Sequence, residues 1–180
     1  PILDEAASRG NANLVELGHI VTMNVTADIA GIDRPLKSKN ETENLLRLVK
    51  IFSEGATLVH SLKNKEIIKK KVFQSFKEFD KDFYISSFER RKNLLNLFKK
   101  GEINEDELPK DILMILLINQ DKLKLSNDVI KREVAFYLQA GSHSTANASV
   151  HAFHEIIEWK EKHPEDKFKL SNDMFFLQKC

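Results

Sequence analysis

Residues 126–164 read SNDVIKREVAFYLQAGSHSTANASVHAFHEIIEWKEKHP, and this stretch decides the fold. Its opening residues, Ser126-Asn127-Asp128, predict a helix start, because short polar side chains cap the free amide groups of a first turn. No proline interrupts the helical pattern before Pro164, so we expect one continuous helix of roughly 50 Å. The segment 134–138 is apolar on every side, which predicts a central helix buried by neighbours on several faces.

The middle of this helix is rich in small and hydroxylated side chains, in the run Ala140-Gly141-Ser142-His143-Ser144-Thr145. A glycine inside a helix costs about 1 kcal/mol relative to alanine. Serine and threonine inside a helix tend to bond the carbonyl four residues earlier and to bend the helix. We therefore expect the helix to make room for another group at its midpoint.

The rest of the chain also follows helical periodicity, and no strand pattern is present. Gly31 and Gly101 are predicted helix ends, and Pro109 is a predicted helix start. The packing face of the third helix is predicted from a phenylalanine series, Phe73, Phe76, Phe79 and Phe83. The expected helices cover 11–30, 41–54, 65–100 and 108–119, followed by the long helix and a last one opened by Ser171-Asn172-Asp173. The predicted fold class is all-α.

The composition of the chain indicates which partners and which cellular compartment are expected. The net charge of +1 gives no bulk attraction for nucleic acid. A single cysteine, Cys180, cannot form a disulfide within the chain, which favours a reducing, cytoplasmic location. The longest apolar run, 112–118, is too short to span a bilayer, so no membrane segment is expected in this chain.

The run 140–145 resembles A-G-x-[DE]-T-[TS], the motif of the oxygen-binding helix in the cytochrome P-450 family of haem-thiolate monooxygenases. Its flank 133–139 is similar to the family's run into the motif. The segments 25–33 and 169–180 are similar to the end of an earlier family helix and to the approach to a later one. Two positions depart from the motif: His143 stands where the family has an acid, and Ser144 where it has threonine.

The resemblance implies that 1–180 is a partial single domain, open at both ends, from the helical middle of the cytochrome P-450 fold. The family's E-x-x-R helix is expected within about two turns beyond Cys180, with the loop of the axial cysteine further on. The cofactor implied is haem, with its axial cysteine outside this chain. The full-length parent would be an enzyme that inserts one atom of dioxygen into a small apolar substrate, using a separate electron-donating partner. The fragment alone is expected to be inactive.

The resemblance also implies roles for individual residues. Ser144 takes the place of the proton-relay threonine, and His143, with an unperturbed pKa near 6.5, is a candidate proton shuttle. Ala140 and Gly141 would border the haem, and Tyr137 and Ala140 would face the substrate. Plain alternatives remain open: an ordinary mid-helix serine bonded to its own backbone, a histidine hydrogen-bonded between helices, and a tyrosine packed in the core.

Two further patterns are weighed against this interpretation. His151 and His154, each with a glutamate four residues later, could suggest a metal site, but such pairs are also ordinary contacts on a helix surface. Glu16 with His19 resembles half of a di-iron site. No metal site is predicted. A non-enzymatic helical interaction module, complete as it stands, is the competing function. Such a module should end on a polar, capped terminus, whereas the stretch 175–180 is apolar without a stop signal.

Overall fold

The computed structural model describes residues 8, 10, 11 and 13–178, and within these residues it is all-helical, as predicted. Residues 179 and 180 lie outside the described residues, and they include Cys180. The α-helices are α1 Leu14–Ala30, α2 Lys39–Ala56, α3 Lys65–Phe79, α4 Ile85–Lys99, α5 Ile112–Ile118, α6 Gln120–Leu123, α7 Asn127–Lys162, α8 Lys167–Asn172 and α9 Met174–Leu177. None of these described helices combines the length and the apolar composition needed to cross a bilayer.

The long central helix α7 confirms the predicted boundaries. The Ser126 hydroxyl caps its first turn by accepting from the amide of Val129 at 3.3 Å, and the helix ends two residues before Pro164. The helices α1, α2 and α5 pack against it, with Ile130, Val134 and Leu138 of α7 fully buried.

Neighbouring helices bury α7 where α1, α2 and α5 pack, as the prediction of a central helix requires, but part of its apolar segment stays open. Phe136 and Tyr137 are 58% and 43% exposed, although they lie inside the apolar segment 134–138. The neighbouring helices cover the face that carries Val134 and Leu138, and they leave the other side of the rod open among the described residues. Apolar composition therefore overstated how far this segment is enclosed.

The predicted third helix is interrupted by a π-helical turn over Asp80–Tyr84, which separates α3 from α4. A π turn admits one extra residue and rotates the helix that follows. Phe79 and Phe83 are buried at this turn, as the phenylalanine series predicts, and Phe76 stacks on Phe52 of α2 with ring centroids 4.5 Å apart. Phe73 is the exception at 65% exposed, so the series packs in the core only from its second member onward.

Several helix boundaries differ from prediction, and at three of them side-chain caps override the simpler signals. The helix α5 begins at Ile112 rather than at 108, since the Asp111 carboxylate accepts from the Met114 amide at 2.9 Å and Pro109 stays ahead of the helix. The helix α1 begins after Asn13, whose side chain caps its first turn. Near the end of the described chain, Asp173 alone caps α9, while the two residues before it belong to α8.

A buried ionic cluster fixes the end of α1 against α4 and α5. Gly31 ends α1 in the left-handed conformation, with φ of 85°, and a Cβ atom there would lie 2.4 Å from an Asp111 oxygen. Arg91 of α4 bonds Asp111 at 2.8 Å and Asp33, just after α1, at 3.1 Å. Removing one partner would leave an uncompensated buried charge, so substitutions in this cluster should destabilise the end of α1.

Candidate functional site

The midpoint of α7 packs against α1 along a strip of small side chains, which we call the seam. A Cβ atom added at Gly141 would lie 2.8 Å from Thr26 Cγ2, closer than any real contact allows. The glycine therefore makes room for α1. The seam consists of Gly18, Thr22 and Thr26 of α1 and Gly141, Ser142 and Ala146 of α7.

The seam also has a polar component. The Thr22 hydroxyl lies 2.8 Å from the carbonyl of Gly18 in its own helix and 3.1 Å from the carbonyl of Ser142 in α7. Ser142 is fully buried, and its own hydroxyl has no hydrogen-bond partner among the described residues. The helix–helix contact thus satisfies one hydroxyl and leaves another unsatisfied.

Two histidines face each other at the edge of the seam. The rings of His19 in α1 and His143 in α7 have centroids 5.3 Å apart and meet edge to face at 72°. His19 Nδ1 and His143 Nε2 are buried and have no hydrogen-bond partner among the described residues. Burial is the main cause that lowers the pKa of each histidine below 6.5, and Lys50 of α2 lowers both further. Both imidazoles are therefore neutral at neutral pH.

The side of α7 that points away from the core carries short side chains around one tyrosine. This open face consists of Tyr137, Ala140, Ser144 and Ala148, all exposed. The Ser144 hydroxyl donates to the carbonyl of Ala140 at 2.5 Å, the backbone bond that mid-helix serines commonly make. Because that bond uses only the hydroxyl hydrogen, the lone pairs of Oγ stay available to a second partner.

The predicted site residues are thus divided between two places. Tyr137, Ala140 and Ser144 lie together on the open face. Gly141 lies in the seam, and His143 lies on the side that faces His19. The assignment of Ala140 and Gly141 to a cofactor, and of Tyr137 and Ala140 to a substrate, stays a prediction.

An apolar groove connects the seam to the open face. It encloses about 470 Å³ between α1 and α7. Tyr137 and Ala140 form one wall, and Val25 and Ile29 of α1, both exposed, form the other. A group that occupies this groove must be predominantly apolar, because the lining offers few polar atoms.

A second groove of about 530 Å³ lies between α2, α3 and the first half of α7. Three aromatic side chains, Phe52, Phe73 and Phe136, are among its lining residues. Ion pairs stand at its rim: Lys131 lies 2.8 Å from Asp80, and Arg132 lies 2.6 Å from Asp128. Sequence reasoning missed this groove, because its lining comes from helices far apart in the sequence whose contact no local pattern indicates.

Sequence reasoning also missed the pairing of His19 with His143. The signal that could have indicated it is the spacing of Gly18, Thr22 and Thr26, which repeats small or hydroxylated residues every four positions on α1. Such a strip on one helix matches a small-residue strip on another, and it would have placed His19 beside the seam.

The metal patterns weighed from sequence have ordinary explanations. His154 pairs with Glu158 at 3.3 Å on the exposed surface, and Glu16 lies 3.5 Å from Lys39. In the described part of the chain, the single group of three possible ligands is His163, Glu165 and Asp166. Asp166 already accepts from Trp159 Nε1 at 3.2 Å and pairs with Lys169 at 2.9 Å, which accounts for its position without a metal.

Comparison with known proteins adds no relative. A scan against family models, a search of curated proteins and a search of solved structures each found no match for this chain.

Proposed function

We propose that this chain is the helical middle of a haem-dependent monooxygenase, with the open face of α7 bordering the cofactor. The proposal starts from the resemblance of residues 140–145 to the oxygen-binding motif. It implies that the thiolate ligand of the iron comes from a part of the protein outside these 180 residues. The expected cytoplasmic location and the separate electron donor belong to the same proposal.

The observation that carries the proposal is the position of the Ser144 hydroxyl. It lies on an exposed strip of short side chains, and its bond to Ala140 keeps it close to the helix surface. A porphyrin is a flat and largely apolar disc, so a helix that borders it needs short side chains on that face. Ala140, Ser144 and Ala148 give α7 this profile, and in this respect the residues fit haem.

Haem, when bound, would supply the activation of dioxygen, and the chain would supply protons and shape. The Ser144 hydroxyl would donate a hydrogen bond toward the reacting oxygen after it releases the Ala140 carbonyl. His143, one residue earlier, has its pKa lowered mainly by burial, so it is neutral at neutral pH and would release a proton readily after taking one up. Ser144 would deliver the proton on the open face, His143 would hold one on the side of α7 that faces His19, and Tyr137 and Ala140 would orient the substrate.

The substrate class follows from the groove beside the open face. Its lining is almost entirely apolar, and it reaches Tyr137 and Ala140, the two residues proposed to contact the substrate. A small apolar molecule would gain about 25 cal/mol for each Å² of apolar surface that it buries there. A strongly polar substrate would lose hydrogen bonds to water without replacement.

The test is the coupling between electron use and product in the full-length enzyme. Ser144→Ala removes the relay hydroxyl, so electrons should still be consumed while more peroxide and at least about tenfold less product form. Ser144→Thr should retain or improve coupling, and His143→Asp should retain activity with a shifted pH dependence. Electron consumption is followed by stopped flow, and the peroxide and the product formed are quantified in the same reactions.

Ser149→Ala is the matched control for Ser144→Ala. The Ser149 hydroxyl makes the same backbone bond, to the carbonyl of Thr145 at 2.8 Å, but it lies beyond the residues of the proposed site. Its removal should leave coupling unchanged. Equal coupling in Ser144→Ala and the wild type would remove Ser144 from the mechanism.

A second measurement tests the placement of the iron ligand. If the axial cysteine lies elsewhere in the protein, the isolated 180-residue chain lacks the thiolate geometry that haem requires. Titration with haem, reduction and addition of carbon monoxide should give no red-shifted band of a thiolate-ligated haem. Appearance of that band would show that the alignment with the family motif is wrong.

The competing proposal, a helical interaction module, draws on exposed apolar side chains in the second half of α7. Phe153 and Ile157 are both exposed there, and scattered exposed apolar residues are ordinary unless they form a contiguous patch. A full-length protein that binds no haem, and that self-associates through this segment in sedimentation experiments, would favour the module. Phe153→Asp should then abolish the association.

A further inference from the structure

The net charge of +1 for the whole chain conceals one strongly basic segment. Residues 58–77 contain six lysines and one acidic residue, Glu66, so this segment carries a net charge of +5 and the rest of the chain carries −4. Glu66 lies 2.8 Å from Lys69, and both side chains of this pair are exposed. Exposed pairs are weak and screened by salt, so the segment keeps its basic character. Such a concentration of one charge marks a candidate interaction surface.

The same segment exposes large apolar side chains. Val59, Leu62, Ile67 and Phe73 are each at least 65% exposed. The helix α3 packs on α2 through its other side, where Ile68 is buried, so packing against α2 does not account for the exposed set. Single exposed apolar residues are ordinary, but several close together within a basic segment indicate contact with another surface.

Phe73 lies among lysines on the exposed side of α3. Lys69 precedes it by four residues and Lys77 follows it by four, so the three side chains share one face of the helix. Lys77 Nζ lies 4.7 Å from the centre of the Phe73 ring, which is a cation–π contact. Ammonium groups therefore flank an exposed aromatic ring on this face.

Glu54, near the end of α2, connects the residues that precede α3 to the helix itself. Its carboxylate lies 3.8 Å from Lys63 Nζ and 3.0 Å from Lys71 Nζ, so two lysines share one negative charge. Lys65 and Lys70 form no ion pair within the part of the chain that the structure describes. The basic surface, as we call it, consists of Val59, Leu62, Ile67, Phe73, Lys63, Lys65, Lys69, Lys70, Lys71 and Lys77.

We propose that the basic surface binds the face of a bilayer that contains anionic phospholipids. Its four apolar side chains enter the boundary between headgroups and acyl chains, and the ammonium groups of its lysines contact the lipid phosphates. Lysine stems are apolar and flexible, so each charged head stays in the headgroup layer while its stem covers the inserted side chains. This inference does not depend on the proposed function, because it needs neither haem nor any residue of the open face.

The combination of lysine with exposed apolar residues favours a bilayer over other anionic partners. Lysine is depleted from interfaces between proteins, so an acidic protein would not be expected to select this composition. Nucleic acid is held through its phosphates, which explains the lysines but not the exposed apolar side chains. An anionic bilayer offers phosphates and hydrocarbon at the same surface and therefore accounts for both.

The test is co-sedimentation of the full-length protein with lipid vesicles. One set of vesicles is phosphatidylcholine alone, and the other contains roughly one-third phosphatidylserine. The protein should bind the anionic vesicles at least about tenfold more tightly, and this preference should decrease as the salt concentration rises. Equal binding to both sets, or binding to neither, would overturn the proposal.

Two double variants separate the apolar from the ionic contribution. Leu62→Ser/Phe73→Ser keeps every lysine and should lower the affinity for anionic vesicles by at least about tenfold, because less apolar surface is buried in the bilayer. Lys65→Gln/Lys70→Gln keeps the apolar side chains and should also lower the affinity by at least about tenfold, with a weaker salt dependence. All four positions are exposed, so both variants should fold, and thermal unfolding checks this.

Matched controls lie elsewhere on the exposed surface. Ile115→Ser removes an exposed apolar side chain from α5, and Lys99→Gln/Lys100→Gln removes two exposed charges at the end of α4. Both should leave vesicle binding unchanged. If the lysine variant of the basic surface loses affinity while Leu62→Ser/Phe73→Ser retains it, the surface binds anions by charge alone, as it would an acidic protein, and the bilayer proposal is overturned.

Discussion

The two sides of α7 at its midpoint are built from the same kinds of residue for different reasons. On the seam side, Gly141 is required because a Cβ atom would meet Thr26 at 2.8 Å. On the open face, Ala140 and Ser144 are also small, but both are exposed, so close packing does not account for their size. Small residues on one side are thus explained by packing, and those on the other side are not.

This difference separates small residues that serve packing from small residues that could serve function. A small residue that prevents a clash carries information about the fold, whereas a small residue on an exposed helix face carries information about what approaches that face. The glycine of the family-like motif belongs to the first kind in this chain, and Ser144 belongs to the second. Substitutions that enlarge or remove groups on each side therefore test the distinction.

The largest effect is expected from Gly141→Leu. The added side chain would have to displace Thr26 and separate α1 from α7, which should lower the free energy of unfolding by roughly 2–3 kcal/mol. Ala140→Leu, on the open face, should change it by less than about 0.5 kcal/mol. Urea unfolding of the two variants measures both values, and similar losses at the two positions would contradict the contrast between the faces.

Thr22→Val should have an intermediate effect on the seam. The substitution keeps the shape of the side chain and removes the hydroxyl that lies 3.1 Å from the Ser142 carbonyl. We expect a loss of about 1 kcal/mol in the free energy of unfolding. Thr145→Val, at an exposed position of α7, should change stability by less than about 0.5 kcal/mol. An unchanged midpoint for Thr22→Val would show that the interhelical bond contributes nothing.

A smaller effect is expected from pH. The folded chain holds the pKa of His19 and of His143 below 6.5, so the unfolded chain takes up protons first as the pH falls. The free energy of unfolding should be highest above pH 6.5, decrease as the pH falls through that value, and level off once the folded rings are protonated. In the double variant His19→Asn/His143→Asn this part of the profile should flatten in urea unfolding series; an identical slope would contradict the assignment.

The smallest effect is expected from Ser142→Ala. Its hydroxyl is buried without a partner among the described residues, so its removal should leave stability unchanged or raise it by at most about 1 kcal/mol. Ser144→Ala should change stability by less than about 0.5 kcal/mol, since that residue is exposed. Differential scanning calorimetry resolves both. A clear loss of stability in Ser142→Ala would mean that its hydroxyl is hydrogen-bonded in solution.

The helices themselves are readable from local sequence. Ser126 and Pro164 bound α7 because a capping hydroxyl and a missing amide act within one turn of the residue concerned. Gly31 ends α1 for a similarly local reason, as the left-handed conformation suits a residue without a side chain. The presence of Ser144 and His143 in a suggestive motif was likewise visible in the sequence.

The faces of these helices were decided only by tertiary packing. Thr22 and Ser142 are 120 residues apart in the sequence, and no local signal indicates that they meet. The exposure of Tyr137 and the partnership of His19 with His143 follow from the same crossing of α1 over α7. Caps and periodicity act within a few residues, whereas the side of a helix that is covered depends on where distant helices find room to pack.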